Sequence, residues 1–156
     1  MGLIGLISDT HGLVRPSVFV ALEGVAMILH AGDVGDGVLE ELRVIAPVRA
    51  VAGNTDPTDN PDLPPDLDLQ VEGVKIHVSH GHELGSPTPE RLLAKYSADV
   101  IVYGHTHRQL VVQADGRWVV NPGAAGQRRF KLKPSVARLT IRRGSVAVEI
   151  VELDER

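Results

Sequence analysis

Five short apolar runs in this chain each stop on aspartate, histidine or asparagine, and that shared ending constrains the fold more than any other feature. "LIGLIS" is followed by Asp9 and His11, "MILHAG" by Asp33, "VRAVAG" by Asn54, "KIHVS" by His80, and "DVIVYG" by His105 and His107. Continuous apolar runs of this length read as strands buried on both faces. Between the first three lie helix signals. Pro16 stands where a first helical residue would, and Gly24 where that helix would stop. Asp36 is placed to cap a second helix whose apolar face carries Val38, Leu39, Leu42 and Ile45. Strand, helix, strand, helix and strand with short connections imply right-handed crossovers and a parallel sheet.

The second half changes character. "TDPTDNPDLPPD" (55–66) is too rich in proline and aspartate for either element and reads as a surface loop. Strand pairs follow, turning at Glu72-Gly73, Asp115-Gly116 and near Arg143-Gly144, with a helix from Thr88-Pro89 that turns Leu92, Leu93 and Tyr96 inward. An α/β half followed by a largely β half predicts two packed sheets with outer helices. With 156 residues, 43% of them hydrophobic, a single domain over 1–156 is expected.

In an open α/β sheet, ligands bind beyond the carboxyl ends of strands, so five such ends can offer polar side chains to one edge. Residues two apart in extended chain point the same way, so Asp9-Thr10-His11 and His105-Thr106-His107 would each aim two groups into one pocket, with the threonines turned away. Taken singly, each aspartate or histidine reads as a turn, cap or exposed bystander. Their common placement argues for metal binding. The chain has no cysteine, so any metal would be held by nitrogen and oxygen alone. A carboxylate such as Asp33 has two oxygens and can bridge two ions about 3.5–4 Å apart.

Charge narrows the partners. The formal net charge is −4, which leaves no strong nucleic-acid footprint. The basic stretch "QRRFKLKP", with Arg128, Arg129, Lys131 and Lys133, reads first as a solvated strand face and second as a patch that draws phosphate towards a nearby site. No run of eighteen apolar residues and no leader pattern is visible, so no membrane partner and a cytoplasmic location are expected. Exposed edge strands would allow a homo-oligomer.

The ordered segments "SDTHG", "HAGDV", "AGNTD", "SHGHE", "YGHTH" and "NPGA" resemble those of the calcineurin-like metallophosphoesterases, and among them the small single-domain phosphodiesterases of the YfcE and MJ0936 type with their VPS29-like fold. The resemblance implies a four-layer α/β/β/α sandwich of two mixed β-sheets flanked by helices. It also implies two divalent metal ions, with manganese the first expectation and iron, nickel or zinc the others. One ion would take Asp9, His11, Asp33 and His107; the second Asp33, Asn54, His80 and His105. The implied activity is hydrolysis of a small phosphate ester, a diester in preference to a monoester, by a hydroxide bridging the two ions. Many members carry histidine after the asparagine to protonate the leaving oxygen, whereas this chain has Thr55. That departure predicts a preference for good leaving groups unless His82 or the substrate supplies the proton. The catalytic candidates are therefore Asp33, Asn54 and His82. Asp56 is expected to orient its neighbours, and His30 and His77 to be structural. Asn121-Pro122-Gly123 lies near the site by resemblance, or simply forms a tight turn. The competing reading is a metal-binding interaction scaffold without useful catalysis.

Overall fold

The first apolar run alternates its side chains between two interiors, which is why it is apolar throughout. In the computed structural model, which describes residues 2–128 and 131–154, this run is β1 (Gly2–Ile7). Ile4 and Leu6 face a second sheet, while Leu3 and Ile7 face helices. β1 pairs in parallel with β2 (Met27–His30), and β2 with β3 (Val48–Ala50). The helices between them are α1 (Pro16–Ala21), with Pro16 in its first turn, and α2 (Val38–Leu42).

The second sheet is built from β4 (Asp66–Val71), β5 (Val74–Ser79), β6 (Val100–Val102), β7 (Leu110–Ala114) and β8 (Arg117–Asn121). Its order is β4-β5-β6-β8-β7, with β5, β6 and β8 parallel and the edge strands antiparallel. α3 (Pro89–Lys95) covers its outer face, and the Thr88 side chain accepts the Arg91 N–H as its N-cap. β9 (Ser135–Arg142) and β10 (Ser145–Glu152) complete the first sheet in the order β10-β9-β1-β2-β3. Both sheets are therefore mixed and five-stranded.

Three cores separate the layers. Val18 of α1, Leu22 just after it, and Val38 and Leu42 of α2 pack on Ile7 and Ile28. Ile4, Leu29 and Leu139 meet Ile76, Val100 and Val120 between the sheets. Leu92 of α3 packs on Ile101 and Val119. The result is the expected four-layer α/β/β/α sandwich.

Two local expectations change. Asp36 does not cap α2; the N-cap is Gly37 in the left-handed conformation (φ 80°), with no side-chain cap bond. Glycine serves there because the chain must reverse sharply out of the preceding loop. The helix ends at Leu42, so Ile45 reaches the same core from the following turn. The proline-rich segment is a loop, as expected, but it runs back along the edge strand β3, where the Ala52 N–H donates to the Pro64 carbonyl at 2.8 Å. That cover protects an otherwise open sheet edge. Among the described residues, no helix is long and apolar enough to cross a membrane.

Candidate metal centre

The loops leaving β1, β2, β3, β5 and β6 converge at one pole of the sandwich. Asp9 is almost fully buried there. Its Oδ2 accepts from Ser8 Oγ at 2.6 Å and from the His105 N–H at 3.1 Å. Its Oδ1 has no hydrogen-bond partner among the described residues. Facing that oxygen are His107 Nε2 at 3.3 Å, His80 Nε2 at 3.8 Å and His11 Nε2 at 4.0 Å.

Asp33 is arranged in the same way. The Thr55 N–H donates to its Oδ1 at 3.0 Å, which leaves Oδ2 facing His80 Nε2 at 3.2 Å and His11 Nε2 at 3.7 Å. The His80 ring is fully buried and fixed by Nδ1–H donating to the Ala31 carbonyl at 2.8 Å. That tautomer turns the Nε2 lone pair towards the carboxylates, where it makes no aligned hydrogen bond.

Ligand-type atoms of Asp9, His11 and His107 lie within 4.8 Å of one another, and so do those of Asp9, Asp33 and His80. Asn54 and His105 sit beside the second group and touch each other, His105 Nδ1 lying 3.2 Å from Asn54 Oδ1. The His105 ring is 5.2 Å from that of His80. All seven sequence candidates are thus brought to one pole. His82 is exposed on a short 3-10 turn, with its ring 5.4 Å from His80 and 6.3 Å from His105.

The electrostatics favour anions held ready. Burial alone would raise the Asp9 carboxyl, but the His107 and His80 imidazoles and the Ser8 hydroxyl hold it below the ordinary carboxylate range. Asp33 is also held low: burial opposes this, but His80 and the Thr55 N–H outweigh it. For His80, burial pulls down while the Asp33 and Asp9 carboxylates push it up, and the carboxylates prevail. His105 is lowered by burial and by neighbouring His80.

The route to this convergence differs from the expected one. Asp9, His11, His105 and His107 are not extended; their φ values are 54°, 47°, 73° and 65°, and Asp33 has φ 55°. Left-handed backbone at non-glycine residues is uncommon, and a cluster of it marks a site where the surroundings enforce the conformation. The threonines do point away. Thr10 Oγ1 donates to the Val34 carbonyl and meets His30 Nε2, and Thr106 Oγ1 accepts from Asn121 Nδ2 at 3.0 Å.

Several supporting residues follow. Asp56 orients rather than ligates: its carboxylate accepts the N–H groups of Val34, Gly35 and Gly53, tying the Asp33 loop to the Asn54 loop. His30 is structural, accepting the Gly32 N–H on Nδ1. His77 stacks on Tyr96 at 3.8 Å and pairs with Asp68, away from the centre. Asn121 does more than make a turn, because its amide holds Gly104 and Thr106 of the histidine loop. Ser8, the first residue of the "SDTHG" segment, is not among the sequence candidates, yet its hydroxyl holds Asp9. Gly53 and Gly104 were legible in principle, since each directly precedes a ligand-type residue. A Cβ at Gly53 would collide with Asp33, and one at Gly104 with Ser8 Oγ. The described residues of the basic stretch, Arg128, Lys131 and Lys133, lie outside any strand rather than on a strand face, and just before them the Gly126 N–H reaches the Asp9 carbonyl. Arg129 lies outside the described residues.

Two mixed sheets with carboxylates and imidazoles gathered at their shared strand ends define a metallophosphoesterase-like class. The chain belongs to the calcineurin-like phosphoesterase superfamily, whose domain matches residues 3–144. A protein named "Probable metallophosphoesterase" from Methanothermobacter thermautotrophicus is 35% identical over 147 residues, covering 88% of this chain and 80% of that one. Phosphodiesterase MJ0936 of Methanocaldococcus jannaschii is 28% identical over 139 residues, covering 77% of this chain and 82% of that one. Wild-type Vps29 of Entamoeba histolytica, solved in complex with zinc, shares the fold with a TM-score of 0.77 at 25% identity, covering 97% of this chain and 99% of that one.

Proposed function

We propose that this protein is a phosphodiesterase that works with two divalent cations, manganese first among them. The observation that carries the reading is a pair of buried atoms, Asp9 Oδ1 and His80 Nε2, left without hydrogen-bond partners among opposed ligand-type groups. Buried polar atoms are rarely left so, and a cation between them would satisfy both. In this reading Asp9, His11, Asp33 and His107 hold one ion, and Asp33, Asn54, His80 and His105 the other. Asp33 is suited to sharing because its Oδ2 lies between His11 and His80. Bound divalent ions would supply Lewis acidity towards the phosphoryl oxygens and acidify water.

The chain's own groups then have definite tasks. Asp9 and Asp33 stay ionised and offset the cationic charge, leaving a site still able to attract a phosphate ester. The Ala31 carbonyl and the Asp56 carboxylate keep the ligand loops in place, the one through His80 and the other through the Val34 N–H. His82, exposed at the rim, protonates the departing oxygen where Thr55 cannot. The name of the Methanocaldococcus jannaschii relative supports the diester preference.

The test pairs elemental analysis with turnover of bis(p-nitrophenyl) phosphate and p-nitrophenyl phosphate in added manganese. Two metal equivalents and faster diester hydrolysis are expected. Metal uptake with no hydrolysis of either ester would move the protein to a binding scaffold, and no metal uptake would overturn the reading altogether.

A further inference from the structure

Beside the histidine loops lies a cavity of about 390 Å³ whose wall includes Pro87, Pro89, Tyr103, Thr106, Leu110 and Leu132. Thr106 stands between His105 and His107, so the cavity and the candidate metal centre share a wall. Pro87 and Tyr103 also crowd Gly81, next to His80: a Cβ on that glycine would lie 3.1 Å from Pro87 and 3.5 Å from Tyr103. The lining is mainly apolar, and its volume falls within the range of small-molecule pockets. Its rim is cationic. Arg108 lines the cavity directly after His107 and is exposed. Lys131 and Lys133, both exposed, flank Leu132.

An apolar floor under a cationic rim, next to the histidine loop that carries His105 and His107, suits a ligand with an anionic head and an uncharged apolar body. The proline-rich loop contributes none of the residues lining this cavity. Its Pro61, Asp62 and Pro64 line a separate cavity with Arg43 and Arg49 along the β3 edge. We propose that the cavity beside Thr106 seats an aromatic ring of the ester while its phosphoryl group lies against the carboxylate–imidazole cluster. The inference rests on the phosphoesterase reading and adds the substrate class: esters carrying an aromatic group. Leu110 and Leu132 supply the apolar contact, and Arg108 attracts the charge without regard to the organic group.

Calorimetric titration of the manganese-loaded protein with phenylphosphonate and methylphosphonate separates these roles without needing turnover. The wild type is expected to bind the phenyl compound at least about tenfold more tightly. L132D and L110A should each bring the two affinities together, with thermal melts checking that each variant is folded. R108Q should weaken both ligands by a similar factor and leave their ratio intact. Equal affinities in the wild type, a phenyl preference that survives both leucine changes, or binding of neither compound would overturn the proposal. Turnover of the nitrophenyl esters in the same preparation is read separately. A phenyl preference without turnover removes the enzyme reading alone, and turnover without a phenyl preference removes this one alone.

Discussion

The two poles of the sandwich use the same uncommon backbone conformation for opposite purposes. At the far pole, Glu72, Asp115 and Arg143 have φ near 50°, and each is followed by a glycine that also has positive φ. These are two-residue hairpin turns of the primed kind, in which left-handed backbone matches the twist of the strands it joins. At the near pole, Asp9, His11, Asp33, His105 and His107 adopt the conformation with no such local reason. Here it is imposed by long-range bonds, such as the His11 N–H to the Asp33 carbonyl and the His105 N–H to Asp9 Oδ2. The comparison teaches that the conformation is set locally at one pole and collectively, by distant parts of the chain, at the other.

The widest separation between the poles should come from two Asp→Ala changes. Asp33→Ala is expected to lower diester turnover on the order of 10³-fold and to lose metal together with activity. Asp115→Ala, in a hairpin turn, should leave turnover and metal content unchanged. Metal analysis and steady-state kinetics of both variants check this, and normal turnover by Asp33→Ala would end its bridging role.

Acid should also separate the poles. His30 lies under the near pole, fully buried, and burial lowers its pKa to about 4 despite the attraction of Asp9 and Asp56. The unfolded chain titrates this imidazole near 6.5, so between those values the unfolded state binds more protons. Stability at His30 is therefore complete above about pH 6.5 and is lost as pH falls towards 4, by up to ~3 kcal/mol. Urea denaturation of wild type and His30→Gln across this range measures it; the variant should show a shallower loss.

The smallest contrast lies in two glycines. Gly104→Ala would press a methyl group onto Ser8 Oγ and within 2.6 Å of Asp9 Oδ2, and should cost about 1–3 kcal/mol along with activity. Gly116→Ala meets open space and carries only its left-handed backbone cost of about 1 kcal/mol, with activity retained. Thermal melts beside kinetics test this, and equal activity losses would erase the distinction between the poles.

The same contrast explains what could be read from the residues. The hairpins were legible because Glu72-Gly73 and Asp115-Gly116 carry their own turn chemistry. The strand ends were legible because ionisable Asp9 and Asp33 directly follow apolar runs, where a carboxylate would otherwise have to be buried unpaired. The left-handed geometry of Asp9 and His11 was not legible, since the bonds enforcing it come from residues 32–34, more than twenty positions away. Asp36 looked like a helix cap because local sequence cannot show that Gly37 must reverse the chain. The positioning role of Asn121 depends on the histidine loop lying opposite it, a fact of sheet packing alone.

β1, which delivers Asp9, is paired on one side with β9, Gly2 standing opposite Ile141. During synthesis the carboxylate-bearing strand must therefore wait for a partner made more than a hundred residues later. Contacts so distant in sequence slow folding and leave early segments exposed in the meantime. The cradle at the near pole is thus among the last things the nascent molecule can complete, because it waits for a C-terminal hairpin whose own turn lies at the opposite pole.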